Sequence, residues 1–267
     1  MRIQHNITAL NAHRNLTNNN SAVGKNLEKL SSGYRINRAG DDAAGLAISE
    51  KMRAQITALE TGKKNAEDGI SLVQTAEGAL TEVHSMLNRI VELSTQAQNG
   101  TYDADDKAKM QSEVKALSDE ITRIKTETKF NGTAILDGST ANVTIHVGEG
   151  NIGVSGSNLT AVATAVAAYD ISTYAGAKAA TTGAKAQIDA VSKLRSDLGA
   201  VQNRLEHTIN NLGTQVENLS AAESRIRDVD MAKEMMSYTK NNILVQSAQA
   251  MLAQANQVPQ GVLQLLQ

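Results

Sequence analysis

Apolar residues recur every three or four positions along most of this chain, and that recurrence predicts long helices. Ile3, Ile7 and Leu10 open a stripe that Val23, Leu27 and Leu30 continue, which predicts a first helical arm over about 3–31. Gly33 and Gly40 interrupt it, and Asp41 or Asp42 supplies an N-cap for the next helix. Met52, Ile56, Leu59, Ala66, Ile70, Val73, Leu80, Leu87 and Val91 then fit one +4/+3 register, with Lys63, Glu77 and His84 as polar exceptions. A helix over 44–98 is roughly 80 Å long and needs partners along its length. Asn99-Gly100 ends it, and a shorter helix returns with Met110, Val114, Leu117, Ile121 and Ile124 in register.

The period then changes. Asn131-Gly132 and Asp137-Gly138 are turn dipeptides, and Val143, Ile145 and Val147 alternate with Thr144 and His146. This predicts a small β-hairpin region over 130–158. From Leu159 to Gly183 the chain is rich in Ala, Thr and Gly with little charge, and it reads as a surface connection. Helical register resumes with Ile188, Val191, Leu194, Leu198, Val201, Leu205, Leu212, Val216 and Leu219, predicting a second long helix over about 183–220.

The final stretch is the most unusual. Leu244, Ala248, Met251, Ala255, Val258, Val262 and Leu265 step as a coiled-coil seam. Asn241 to Gln267 carries no charged side chain, and ten of its 27 residues are Asn or Gln. Between Met1 and Gly24 only Arg2 and Arg14 are formally charged. Soluble helices normally keep a charged face toward water. Two charge-poor arms imply ends that meet each other and then meet copies of themselves. Pro259 is expected to weaken or bend the last helix. The expected fold class is mainly α, with long antiparallel helical rods, terminal coiled-coil arms and a small β-hairpin insert. The segments are an assembly arm with its connecting loop (1–43), rod helices (44–129), a hairpin with a variable outer stretch (130–182), a second rod helix (183–222) and a final arm (223–267).

Composition supports thin bundles over a broad core: five Tyr, one Phe, no Trp and a single Pro. A net charge of −2 offers no nucleic-acid footprint. No Cys is present, so there is neither a disulfide framework nor a Cys-ligated metal site. Met1–Leu10 has no apolar signal-peptide core, and no stretch is apolar enough to span a membrane. An extracellular location therefore requires export without a cleaved signal peptide.

Catalytic chemistry finds no foothold. The H-E-x-x-H, G-x-S-x-G, Walker and dinucleotide patterns are absent. The histidines at 5, 13, 84, 146 and 207 have no partner at ligand spacing, and Asp103, Asp105 and Asp106 fit a helix N-terminus better than a calcium loop. Lys63-Lys64 and Arg225/Arg227 read as solvated faces or subunit salt bridges. No cofactor is called for, and the chain reads as a structural protein rather than an enzyme.

Several blocks together carry a resemblance. Asn6-Ile-Thr-Ala-Leu-Asn11, Leu30-Ser-Ser-Gly-Tyr-Arg-Ile-Asn-Arg-Ala-Gly-Asp-Asp-Ala-Ala-Gly-Leu-Ala-Ile48, Leu198-Gly-Ala-Val-Gln-Asn-Arg-Leu205, Ala222-Glu-Ser-Arg-Ile-Arg-Asp-Val-Asp230 and Met251-Leu-Ala-Gln-Ala-Asn-Gln257 resemble bacterial flagellin. The match covers about 1–138 and 183–267. The insert between is short, so the large outer domains of longer flagellins are missing.

The resemblance implies a subunit that is exported unfolded and polymerises into the flagellar filament for motility. Its arms would form an inner coiled-coil tube, with Ile3, Ile7, Leu10, Val23, Leu27, Leu30, Leu244, Ala248, Met251, Ala255, Val258, Val262 and Leu265 as polymerisation residues. It implies as partners the chain itself, a flagellar export chaperone, cap and hook-associated proteins, and the host Toll-like receptor that senses flagellin. The receptor positions carry over to Arg89, Leu93 and Glu113, with Arg89 and Leu93 on one helix face. The alternative within the family is a hook–filament junction protein. A protease insert does not fit the short 139–182 stretch, and a membrane-active protein does not fit arms without a Lys/Arg-rich face.

Overall fold

A computed structural model describes residues 6–138, 142–148, 150–155 and 158–265, with side chains to residue 257 apart from those of Asn142 and Ser155. Ile3 lies outside the described residues, as do the side chains of Val258, Val262 and Leu265. The chain forms two compact units, one of residues 57–216 and one of residues 1–56 with 217–267. The elements run α1 (Ile7–Ser32), α2 (Ala43–Ala97), α3 (Ala104–Glu127), β1 (Lys129–Phe130), β2 (Thr133–Ala134), β3 (Asn142–Val147), β4 (Gly150–Ser155), α4 (Thr160–Ala167), α5 (Tyr174–Arg227) and α6 (Met231–Leu265). Helices α2 and α5 each contribute to both units.

In the 57–216 unit, α2 buries a strict heptad row: Gly62, Ala66, Gly69, Val73, Ala76, Leu80, Val83, Leu87, Ile90, Ser94 and Ala97. The expected register had Ala66, Val73, Leu80 and Leu87 in common with this row. Its companion positions, Ile70, Glu77, His84 and Val91, lie one residue too late and are only half-buried. The polar exceptions were therefore off the seam. From α5, Ala177, Ala184, Val191, Leu198, Leu205 and Leu212 form the matching buried row. Gln98 Nε2 donates to Thr181 Oγ1 at 2.8 Å, and Arg195 reaches Glu77 at 3.4 Å. As α2 numbers fall, α5 numbers rise, so the two helices are antiparallel. Helix α3 adds Val114, Ser118 and Ile121.

The stretch expected to be a surface connection is part of this core. Val162, Ala163 and Val166 of α4 are buried, as is Ile171, and α5 begins at Tyr174 with Ala177 and Ala180 already covered. Gln111 of α3 fixes the link, donating to Tyr169 O at 3.0 Å while accepting from Ile171 N at 2.8 Å. Small Ala side chains at helical spacing let α5 pack closely where no large apolar residue marks the stripe.

Two antiparallel hairpins complete the unit. Asn131 and Gly132, with φ of 47° and 82°, make the tight turn between β1 and β2. In the β3–β4 hairpin, Ile145, Val147, Ile152 and Val154 face inward while Thr144 and His146 are exposed. Its turn lies against Gly62: a Cβ there would meet the Gly148 backbone, and a Cβ at Gly69 would meet Ile145. Asn65 Nδ2 donates to His146 O at 2.8 Å between those glycines.

The other unit has little core. Helices α1 and α6 pack on each other. Asn6 Nδ2 donates to Ala255 O at 2.7 Å. At the other end the Asn26 amide fits with its nitrogen toward Glu234 Oε1 (3.0 Å) and its oxygen accepting from Tyr238 N (3.2 Å). The pair is thus antiparallel. Asn6 caps α1 through Ala9 N at 3.1 Å, and Asp42 caps α2 through Gly45 N at 2.9 Å. Helix α6 continues through Pro259 to Leu265.

Candidate assembly and recognition surfaces

The arm helices are two-sided. On α1 the half-buried positions include Ala9, Ala12, Leu16, Asn19, Val23, Asn26 and Leu30, a strict heptad row. On α6 they include Tyr238, Asn241, Val245, Ala248, Leu252 and Ala255, again at heptad spacing. No α1 residue is fully buried. The small and amide residues in these rows let the helices approach closely but cover little apolar area. What they leave outside is large: Ile7 is 60%, Leu10 63%, Ile243 57% and Met251 67% exposed.

The nine expected polymerisation residues whose side chains are described therefore divide. Val23, Leu30, Ala248 and Ala255 belong to the rows that pack within the subunit. Ile7, Leu10, Leu27, Leu244 and Met251 are exposed. The continuous seam read for α6 thus mixes two faces, and its true intrasubunit row uses Val245 and Leu252 in place of Leu244 and Met251. Val245 and Leu252 are hidden in the sequence because the neighbouring Leu244 and Met251 fit a heptad equally well, and Leu16 on α1 because it stands alone among polar residues.

A joint ties the arms to the long helices. Tyr34 and Asp228 form an isolated β-bridge, Arg35 N donates to Arg227 O at 2.6 Å, and Val229 N donates to Gly33 O at 3.0 Å. The guanidinium of Arg227 lies 4.7 Å from the Tyr34 ring centroid and 3.0 Å from Glu50 Oε1. Buried Ser49 donates to Glu223 at 3.0 Å, and Ile36 is the one fully buried apolar side chain described in this unit. Arg227 was expected on a solvated face or in a subunit salt bridge; instead it is mostly covered and bridges two segments of its own chain. The αL conformation of Gly33 (φ 75°) ends α1 and turns the chain into this joint.

Of the expected receptor residues, the structure joins two. Arg89 Nε donates to Glu113 Oε1 at 2.8 Å and its Nη1 to Glu92 Oε2 at 3.0 Å, linking α2 to α3 on the surface. These carboxylates, Glu113 foremost, push Arg89 further above the usual arginine range. Leu93 differs: at 2% exposed it belongs to the core, and it does not share the open face of Arg89. Four residues along a helix turn the side chain by about 40°, and here that offset crosses from solvent to core.

Among the described residues no group of His, Asp and Glu could hold a metal ion, and no helix is long and apolar enough to cross a membrane. The profile of the bacterial flagellin N-terminal helical region matches residues 3–141, and that of the C-terminal helical region matches 181–266. A flagellin of Halalkalibacterium halodurans is 56% identical and one of Bacillus subtilis 54%, each alignment covering 100% of both chains. The flagellar filament 33 kDa core protein of Treponema phagedenis is 48% identical, again over 100% of both. Among solved structures, Bacillus cereus flagellin superposes with a TM-score of 0.52 at 28% identity, over 60% of this chain and 94% of that one. A Vibrio parahaemolyticus protein described as flagellar hook-associated gives a TM-score of 0.60 over 70% of this chain and 100% of its own, but at 13% identity it shares the fold alone. The end-to-end identity with flagellins, through arms, joint and long helices alike, places the chain in the bacterial flagellin family.

Proposed function

We propose that this chain is the self-polymerising subunit of a flagellar filament, with α1 and α6 as its assembly elements. One observation carries the reading: in the unit built from the arms, large apolar side chains stay exposed, and among the apolar side chains described there only Ile36 is fully buried. Burying an exposed Leu, Ile or Met contributes about 1.5–3 kcal/mol per side chain. A second copy supplies that burial without introducing charge, which the amide-rich α6 lacks from Asn241 onward. The segments 1–43 and 223–267 are then the assembly arms. The export chaperone, cap and hook-associated proteins are its partners before assembly and at the polymer's ends. The hook-junction alternative is disfavoured by the full-length identity to flagellins and to a filament core protein. Deleting 241–267 and seeding the purified protein tests this by electron microscopy: filaments should vanish while circular dichroism retains the helices of residues 57–216. Ordinary filaments from the truncated protein would refute it.

Recognition by the flagellin-sensing Toll-like receptor is the finer proposal. The surface cluster Arg89–Glu92–Glu113 supports it, since its charges are open to a partner. Leu93 would act from beneath, by fixing the α2 surface that carries Arg89. Arg89→Ala monomer should signal less than the parent in a cell reporter assay, and undiminished signalling would remove Arg89 from the site.

A further inference from the structure

We propose that peroxide oxidation of the α6 methionines, Met236 and Met251 above all, is a reversible block on subunit assembly; this rests on α6 being an assembly helix, as proposed above. The thioethers of this chain are sharply divided by position. Met86 and Met110 pack against the core of the 57–216 unit, and Met52 is half-buried. On α6, Met231 is 49%, Met235 48%, Met236 67% and Met251 67% exposed. The chain has neither Cys nor Trp, so these thioethers are its most oxidisable exposed groups.

Helical geometry places Met236 and Met251 where oxidation matters. At about 100° per residue Met236 lies with Ile243 on the side of α6 opposite the half-buried row Tyr238, Asn241, Val245, Ala248, Leu252 and Ala255, while Met251 lies with Leu244 on the flank of that row, about a right angle from its centre, and is as exposed as Met236. The α1 partner therefore leaves them open, and they belong to the face available to a second copy. Thioether sulfur attacks one oxygen of hydrogen peroxide. The S–O bond forms, the O–O bond breaks, and the departing hydroxide takes the proton to leave as water. Sulfur is oxidised by two electrons and the peroxide is reduced. The sulfoxide places a strong acceptor in a face whose use requires dehydration, where an unpaired polar group opposes burial. Once copies cover that face, the same sulfurs are shielded. Oxidation thus gates free subunits and spares finished polymer.

Full-length monomer and preformed filaments are treated with hydrogen peroxide, the sulfoxides are mapped by peptide mass spectrometry, and seeded growth is measured. Sulfoxide should appear in monomer at Met236 and Met251 well before Met86 and Met110, and it should stay low at those α6 positions in filaments. Oxidised monomer should extend seeds at least ~10-fold more slowly, and methionine sulfoxide reductases A and B with a reductant should restore growth. Met236→Leu combined with Met251→Leu should make growth insensitive to peroxide relative to its own untreated level. If untreated protein extends seeds and fully oxidised protein does so equally well, the gate is overturned while the filament reading stands. Loss of growth that the reductases do not reverse, or that tracks Met86 and Met110, also overturns it. Untreated protein that never extends seeds overturns both.

Discussion

The two units of this chain are built from similar helices and solve burial in opposite ways. In residues 57–216 every heptad row finds a partner within the chain, and α2, α3, α4, α5 and the hairpins share one continuous apolar core. In the arm unit the heptad rows are filled with Ala, Asn and a few Leu and Val, while Ile7, Leu10, Ile243 and Met251 face outward. The difference teaches that helical pattern alone does not measure stability; what matters is whether the largest residues sit on the row that is covered. A unit that keeps its large side chains outside is held marginally until something covers them.

The strongest way to break the comparison is to make the same truncation on both sides. Leu205→Ala, at a fully buried α5 position, should cost about 3 kcal/mol by leaving a cavity in the core. Leu244→Ala should change monomer stability by less than ~0.5 kcal/mol, because its side chain is already exposed, yet slow seeded growth. Urea denaturation followed by circular dichroism and a growth assay on the same preparations gives both values. Equal destabilisation by the two substitutions would show that the arm unit has a core after all.

Amide hydrogen exchange sharpens the contrast without mutation. Helix hydrogen bonds in α1, and in α6 from Met231 to Gln257, lack a buried core above them and should open locally. In α2 from Ala66 to Ala97 and in α5 from Ala177 to Leu212 opening should require global unfolding. Exchange in the free arms should exceed that in these segments by orders of magnitude and fall on assembly. Protection in monomeric α1 equal to that around Leu87 would contradict the division.

Sequence patterns carried the helices well and the faces less well. The long α2 and α5, the returning α3 and the alternating β3 were all legible from period alone. The register of α2 was read one residue late at every second position because Gly62, Gly69 and Ala76 occupy the seam. Those residues carry little hydrophobic signal; Gly62 lies against the β3–β4 turn, and Gly69 against Ile145 of β3 and Leu205 of α5. A one-residue offset also separates Asn26 from Leu27 on α1, again late, and Val245 from Leu244 on α6, there early. Residues 159–182 read as a connection because their stripe is Ala and Val among Thr and Gly, where only tertiary packing shows which positions are covered. The Tyr34–Arg227 joint was invisible, since residues nearly two hundred apart in sequence meet there.

That joint offers a moderate test. Arg227 holds Tyr34, Ser49 and Glu50 in one cluster, with a side chain only 13% exposed. Arg227→Ala should cost the arm unit about 1–2 kcal/mol, raising exchange at Arg35 and Val229, whose amides close the bridge. Arg227→Lys should restore part of it, because an ammonium keeps the charge but not the planar stack. Unchanged exchange at both amides would mean that the backbone bridge suffices without the guanidinium.

The smallest effect separates local from global order. Each unit has one loop aspartate whose carboxyl is held below the usual carboxylate range by nearby donors. Asp41 Oδ2 accepts from Arg38 N at 3.1 Å and Asn37 N at 3.2 Å, with Arg38 the larger cause. Asp170 Oδ1 accepts from Ser172 Oγ at 2.7 Å and Ser172 N at 2.9 Å, with the hydroxyl the larger cause. For both, the folded pKa lies below the unfolded value near 3.9. Their contribution is therefore present above about pH 4 and is lost as pH falls through the lower folded value. Both carboxylates are open to solvent, so the change should be seen locally rather than as unfolding. Amide shifts of Asn37 and Arg38, and of Ser172, followed by NMR from pH 6 downward, should each move with a midpoint below about 3.9. Asp41→Asn should abolish the movement at Asn37 and Arg38 and leave Ser172 unaffected. If the arm unit is as loosely held as its exposed faces imply, the Asp41 loop must still be anchored by Ile36 and the Arg227 joint. A normal midpoint at Asp41 beside a lowered one at Asp170 would show that the loosening reaches into the joint itself.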